Sequence, residues 1–489
     1  MKLSGFLRKI CVMVLCAILL CNNNVGAVSY RNYTYNIDGT AGAEPQAYIP
    51  EAVYTGVDLG VGDFSKPEDI FIAKNGNIYV ADMGNNRIVV LGSDFSLIKI
   101  ISGFDNNGAS DTFSEPYGVF CDEAQNLYVA DSQNGRVVIL DKNGVLVRII
   151  TAPESELIEN SYEFVPIKVA ADYAGRVYVV SENCDQGIVQ YNPDGSFLGY
   201  FGSIKTQSTV WELFWRSIAT KSQKEAMSKI VPTEYSSIDV DGEGFVYGTV
   251  SMIDTSKDFD ASMFIHKLNS MGTDVLKRNG SNPPCGDIIY EQDKETKQLL
   301  ISRFVDISVE DNGVYSALDA QRGRIFTYSY NGELLFVFGG LGTTFGSFGT
   351  PSAIDSTADS RFIILDSKYN QMVVFKPTKY GSLILEAETA NGNREYEKSR
   401  ELWLETLKYT SKSELVFSKI GDIYNSEGNY EKAMEYMELA NDRSGYSEAY
   451  QSLRKIVMNK YFGTAMAVIV IVVVAWYIFK GIKKKKSAS

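Results

Sequence analysis

The chain repeats itself, and the repeat decides most of what it can fold into. A stretch opening at Pro67 (PEDIFIAKNGNIYVADMGNNRIVVL) returns from Pro116, where Leu127-Tyr128-Val129-Ala130-Asp131 and Asn134-Gly135-Arg136 echo the first copy. Weaker copies open at Pro166, Tyr235, Phe304 and Pro351, so successive starts lie 49, 50, 69, 69 and 47 residues apart. Each copy breaks short apolar runs with turn chemistry, as in Lys74-Asn75-Gly76, Asp141 to Gly144, Asn192 to Gly195 and Tyr330-Asn331-Gly332. Asn-Gly and Asp-Gly supply the positive φ that tight hairpins require. Several short strands in a period of roughly 40–50 residues mark a propeller blade, whereas a β-helix repeat is much shorter. The expected fold is mainly β, a six-bladed β-propeller. Such a ring must close, because an unpaired last strand is an exposed edge. Tyr48 to Thr55 (YIPEAVYT) has strand character and is expected to complete the sixth blade, which places the propeller over residues 48–379.

The motif Pro…Gly-x-Ile-Tyr-Val-Ala-Asp-x-x-Asn-x-Arg resembles the NHL repeat family of β-propellers. The first two copies match it closely, with Asp82, Asn85 and Arg87 and with Asp131, Asn134 and Arg136. The fifth keeps Asp319 and Arg324 but has Arg322 in the Asn position, and the sixth keeps Asp366. A side chain that recurs at the same position of several blades is better suited to tying a hairpin by charge-assisted hydrogen bonds than to holding a ligand. These residues are therefore expected to be structural. The resemblance speaks to fold, since propellers host both binders and enzymes.

Insertions are where a repetitive scaffold acquires function. Between the third and fourth copies, residues 203–231 read as one or two helices. Trp211, Phe214, Trp215 and Ile218 share one helical face. That face either packs on the propeller or docks a protein or sugar partner. The other insertion, Ser251 to Ala261, carries Asp254, Asp258 and Asp260 without the Gly hinge and final Glu of a calcium loop.

Both ends carry membrane signals. Lys2, Arg8 and Lys9 precede an apolar run from Ile10 to Leu20, and Val25-Gly26-Ala27 offers small residues for cleavage, so residues 1–27 read as a signal peptide. A lipoprotein using Cys21 is the alternative, with bulky Leu20 against it. Residues 462–479 (FGTAMAVIVIVVVAWYIF) hold no charge and span about 27 Å as a helix. A basic tail follows at 480–489, which the positive-inside rule places in the cytoplasm. The expected localisation is the cell membrane, single-pass, with the N-terminal ectodomain outside and a bacterial host. Three basic residues leave with the signal and five sit in the tail, so the exported body has 39 basic against 60 acidic residues, a net of −21. That charge argues against nucleic acid as a partner. The single histidine, His266, excludes His-rich metal sites and chemistry that needs two imidazoles. Cys121, Cys184 and Cys285 remain after the signal, an odd number at wide spacing that builds neither a disulfide framework nor a zinc knuckle.

After Lys379 the turn chemistry gives way to helical periodicity. Phe417, Ile420, Gly421, Tyr424, Gly428, Tyr430, Ala433, Met437 and Ala440 occupy the packing positions of a tetratricopeptide repeat, which residues 380–460 resemble. A degenerate copy 34 residues earlier uses Leu383, Ala387, Tyr396, Ser399 and Trp403. Such helices serve as a peptide-binding groove or as a rigid stalk. The whole chain looks like bacterial membrane-anchored surface proteins that join NHL propellers to tetratricopeptide helices. The expected function is a non-catalytic one: an extracytoplasmic binding or scaffold protein with a protein or glycan partner and no cofactor. The alternative is a metal-dependent gluconolactonase-like hydrolase on the same propeller, for which no ligand set aligns in the sequence.

Overall fold

The computed structural model describes residues 32–153, 163–203, 234–251, 261–280, 282–287, 291–292, 299–410 and 412–486. Six antiparallel blade sheets follow one another along the chain, with two separate two-stranded sheets beside them, Gly103–Asn106 with Ala109–Thr112 and Glu291–Gln292 with Leu299–Leu300. The blades' first strands are Pro67–Ile72, Pro116–Cys121, Pro166–Ala171, Tyr235–Val240, Phe304–Val309 and Pro351–Ser356. Each packs beside the next and the sixth packs beside the first, so the blades form a closed ring. Positive-φ glycines Gly76, Gly144, Gly195 and Gly332 sit in the hairpin turns between strands, the conformation a side-chain-free residue adopts without strain.

The ring closes through Tyr48–Thr55. This strand lies antiparallel to Gln371–Pro377, from Tyr48 opposite Pro377 to Thr55 opposite Gln371. The sixth blade thus takes three strands from one end of the propeller and one from the other. Tyr48 is fully buried, stacks on Phe338 at 4.7 Å and donates its hydroxyl to the Ser360 carbonyl at 2.8 Å. Two departures from a regular ring stand out. The fifth blade gains a hairpin, Tyr33–Tyr35 and Ala41–Ala43, which adds outside Leu334–Phe338 with Tyr33 opposite Val337. The fourth has three strands among the described residues, and an isolated bridge between Leu268 and Asp274 stands where a fourth would begin. There Val275 N donates to the Lys267 carbonyl at 2.7 Å, and Asp274 accepts from His266 Nδ1 at 3.1 Å and Arg278 Nη2 at 2.8 Å. Cys121, Cys184 and Cys285 are all buried, and none of the three is in a disulfide.

Five helices follow: α1 (Lys379–Gly392), α2 (Tyr396–Thr406), α3 (Glu414–Ser426), α4 (Tyr430–Leu439) and α5 (Arg443–Lys486). Side-chain caps start three of them. Thr378, Ser413 and Asn429 accept from the backbone N–H of Gly381, Val416 and Lys432, groups that a helix start otherwise leaves unpaired. Helices α1 and α2 pack as one pair and α3 and α4 as another. The small residue the α3–α4 contact needs is Gly421, where a Cβ would meet Met437 at 2.9 Å. The pairs dock on the propeller through one continuous core that includes Tyr48, Phe338, Phe362 and Phe375 from the ring and Tyr380, Ile384, Trp403 and Ile420 from the helices. At Gly381 the approach is closest, with the Ala47 carbonyl 2.2 Å from where a Cβ would stand. Helix α5 runs unbroken from the helical pairs through the apolar stretch, and its Arg443–Lys480 part is long and apolar enough to cross a membrane.

Candidate functional site

The repeated aspartates close their own blades. Asp82 and Asp131 sit at the ends of second strands with no exposed surface, and each turns one oxygen back to the first strand's start, accepting from Ser65 N and Ser114 N at 2.7 Å. Their other oxygens take Asn85 (2.8 Å) and Arg87 Nε (2.7 Å) in the first blade, Asn134 (2.9 Å) and Arg136 Nε (2.8 Å) in the second. Arg136 also grips Asp111 with two parallel bonds of 2.7 and 2.9 Å, which hold the Asp111 carboxyl well below the usual range. Asp319 accepts from Arg303 N at 2.8 Å and Asp366 from Thr350 N at 3.0 Å. In the fifth blade Arg324 turns instead to Asp287 (2.6 Å) and the Tyr33 hydroxyl (2.7 Å), pinning the added hairpin. The third blade has Ser181 in the aspartate's place, and its hydroxyl accepts from Val165 N at 3.0 Å.

The axis of the ring holds a buried ion cluster that reading the sequence missed. Lys168, on the third blade, reaches Asp69 on the first and Asp306 on the fifth, the latter at 2.9 Å. All three are at most 5% exposed. Burial alone would lower the lysine, but the two carboxylates outweigh it and hold the ammonium charged. Asp69 is pushed up to about 6 by burial, with Lys168 opposing. One step along the strands, burial lifts Asp355 to about 7, and burial together with Asp355 lifts Asp239 well above the carboxylate range. Four carboxylates staple adjacent blades. Asp69 accepts from Val119 N, Asp239 from Val309 N and Asp306 from Ile354 N, each at 2.8 Å, and Asp355 from Ile72 N at 2.6 Å.

The cavity on this axis measures about 30 Å³, room for one or two waters. All eight oxygens of Asp69, Asp239, Asp306 and Asp355 already accept a lysine, serine or backbone donor. A divalent ion wants oxygens that converge and are free to coordinate. This donor set does not fit one, and among the described residues no group of three or more His, Cys, Asp or Glu is arranged to hold a metal.

The larger opening lies between propeller and helices. It encloses about 760 Å³, within the usual 300–1,000 Å³ of ligand clefts. The fifth blade's outer hairpin (Asn331, Glu333) and the segment around Asn279 and Asn282 form one wall. Helix α3 (Glu414, Ser418, Asp422, Asn425), Asp442 just before α5 and Glu448 within it form the other. At its base Lys419 bridges Glu388 of α1 at 2.9 Å and Glu333 of the blade, a buried ion cluster that locks the two modules together. Partial desolvation in the cleft, then Glu333, Asp442 and Glu448, push the Asp422 carboxyl upward, with Lys419 opposing, while its side chain keeps contact with solvent.

Trp211, Phe214 and Trp215, the aromatic face expected to bind a partner or cap the ring, lie outside the described residues, as do the signal segment and Asp254, Asp258 and Asp260. One signal of the axial cluster is visible once the first strands are aligned. Their fourth positions are Ile70, Val119, Val169, Ile238, Ile307 and Ile354, all apolar and buried. The preceding positions are Asp69, Gly118, Lys168, Ser237, Asp306 and Ala353. Charges of opposite sign at one register on alternate blades imply a meeting at the axis.

The NHL repeat family model matches residues 64–91, which hold most of the first blade. A comparison with curated proteins found no match. Among solved structures, the chain is similar to a protein of unknown function from Bacteroides thetaiotaomicron (11% identity, TM-score 0.42, 71% of this chain and 76% of that one). It is also similar to virginiamycin B lyase from Staphylococcus aureus (9%, 0.41, 67% and 99%) and to a presumed gluconolactonase (12%, 0.40, 71% and 98%).

Proposed function

We propose that the chain is a membrane-anchored, extracytoplasmic binding or scaffold protein that engages a protein or glycan where the propeller meets its helical neck. One observation carries this reading: the polar cleft of about 760 Å³ lies at that junction, while the propeller axis is filled by its own ion pairs. The order of basic residues, apolar run and small residues before position 28 supports export, and the lysines after Phe479 support a cytoplasmic tail. The spacing of the helical pairs supports the tetratricopeptide-like reading, since α2 and α4 open 34 residues apart at Tyr396 and Tyr430. Two such units are few for independent stability, and the shared core with the ring supplies what they lack. The hydrolase alternative draws no support from the axial carboxylates, which are engaged by Lys168 and strand N–H groups.

The test is site-specific photo-crosslinking in the producing cells, with the photoreactive residue at Ser418 in the cleft or at Asp94 on the first blade's outer turn. Crosslinks to a protein or glycan from Ser418 and not from Asp94 are expected. Equal crosslinking from both positions, or none from Ser418, refutes the reading.

A further inference from the structure

The charge in the cleft is one-sided. Among the described residues, five carboxylates line it, from Glu333, Glu414, Asp422, Asp442 and Glu448, and the one lining cation, Lys419, is consumed by Glu333 and Glu388. Some of these acids have internal work. Glu414 accepts from Ile37 N at 3.0 Å and Asn441 at 2.6 Å, and Asp442 from Gly445 N at 2.8 Å. Asp422 and Glu448 do not: neither carboxylate has a hydrogen bond or ion pair among the described residues. On the same wall, Asn425 Oδ1 is buried and also lacks a donor. A buried acceptor without a donor costs about 1–3 kcal/mol, so the wall is better satisfied when something that donates is seated against it.

We infer that the cleft takes a basic peptide segment, with lysine or arginine side chains between Asp422 and Glu448 and the peptide N–H groups against the asparagine-lined wall. This rests on the binding role proposed above and names the partner's chemistry. Cations are favoured because every unengaged charge in the cleft is negative. The field of the whole exported body has the same sign, at a net of −21 from 39 basic and 60 acidic residues, and so steers a cation inward. A peptide suits the asparagines, whose amides both donate and accept along a backbone. A cleft of about 760 Å³ accommodates several residues, not a single ion.

The experiment uses the full chain in neutral detergent and a short fluorescein-labelled lysine-bearing peptide, with a glutamine counterpart and a neutral oligosaccharide as competitors. Binding is read by anisotropy at low ionic strength. The Asp422→Asn/Glu448→Gln pair is expected to weaken the lysine peptide by about ten-fold, from two partly exposed charge contacts. The remote pair Asp185→Asn/Glu243→Gln removes the same charge and should change it by less than about two-fold, because only the diffuse field is reduced. Glu448→Lys should turn preference toward a glutamate-bearing peptide. Equal weakening by both pairs, or equal binding of the glutamine peptide, overturns the inference. If the oligosaccharide binds in an Asp422-dependent way and the lysine peptide does not, the cationic assignment falls while the binding role stands. If no probe binds and Ser418 gives no crosslink in cells, both fall.

Discussion

Replacing Lys168 by methionine tests whether the ring is centred on charge. At 2.9 Å and an effective dielectric near 20, the Lys168–Asp306 attraction alone is about 6 kcal/mol, and Asp69 adds a comparable contact. Burying three ions costs several kcal/mol each, so the intact cluster comes out near balance and contributes little net stability. Removal is a different quantity. Without the ammonium, Asp69 and Asp306 stay buried at 4% and 3% exposure with no cation between them. The expected loss is about 3–5 kcal/mol. Spread over a propeller of roughly 330 residues, that lowers the melting temperature by about 4–7 °C.

The pH dependence identifies the cause. Asp69 already titrates near 6 in the fold, above its unfolded value, so the folded state holds the extra proton between about pH 4 and 6. Its ionisation therefore subtracts stability as pH rises through that window. Loss of Lys168 raises the Asp69 carboxyl further and moves the window upward. The Lys168→Met deficit should be full near pH 8 and shrink towards pH 5, measured by thermal unfolding of the detergent-solubilised chain followed by intrinsic fluorescence. A deficit that is the same at both pH values would assign the cost to packing. No deficit at all would refute the reasoning outright.

Asp131→Ala strands Arg136 Nε, Asn134 and Ser114 N together and should cost about 3–5 kcal/mol. Asp366→Ala strands mainly backbone N–H groups and should cost about 1–3 kcal/mol in the same melts. Deleting residues 48–56 removes the closing strand, and a single lowered transition for the whole ring is expected; loss of one blade's protection in hydrogen exchange would contradict closure. Asp422→Asn removes a carboxyl pushed upward by its place in the cleft and by neighbouring acids, so it should raise the melting temperature slightly near pH 8, with the gain vanishing below about pH 3, where folded and unfolded forms are both protonated. Elemental analysis of the full chain, offered calcium, zinc and manganese and then dialysed, should find no stoichiometric ion; one retained per chain would revive the hydrolase alternative.

Legibility followed sequence distance. The blades were readable because their causes are local: Asn-Gly turns, strand alternation, and Asp82 within five residues of Arg87. The closing strand was readable because a ring with an open edge is physically disfavoured. The Tyr33–Tyr35 strand escaped notice, since three residues carry no periodicity and its anchors, Arg324 and Asp287, lie about 250–290 residues away. The axial cluster spans 99 and 138 residues, and Lys168 alone reads as an ordinary surface charge within a strand. The cleft was least legible. Its walls belong to different modules, and its lining acids look like the solvated faces of α3 and α5 until the docking of those helices is known.

That docking also bears on what the neck can be. A flexible stalk would need a linker with few contacts on either side. Here the Ala47 backbone closes on Gly381, Asn312 donates to Thr389 at 2.9 Å, and Lys419 is shared between a blade and two helices. Helix α5 packs on α4 and then continues without a break towards the apolar stretch, and Ala449 is its last residue in the common core. From Ala449 to Phe462 is about 20 Å at the helical rise. Ring and helical pairs therefore share one core, and α5 continues from it as an unbroken strut, with Glu448 at the point where the cleft wall becomes that strut. If α5 crosses the bilayer, the cleft stands a fixed short distance above it. Breaking the strut tests this: a Gly-Pro pair replacing Val457-Met458 should leave binding in detergent unchanged while altering which membrane neighbours crosslink from Ser418. Unchanged crosslinks would show that the stiffness has no positional role.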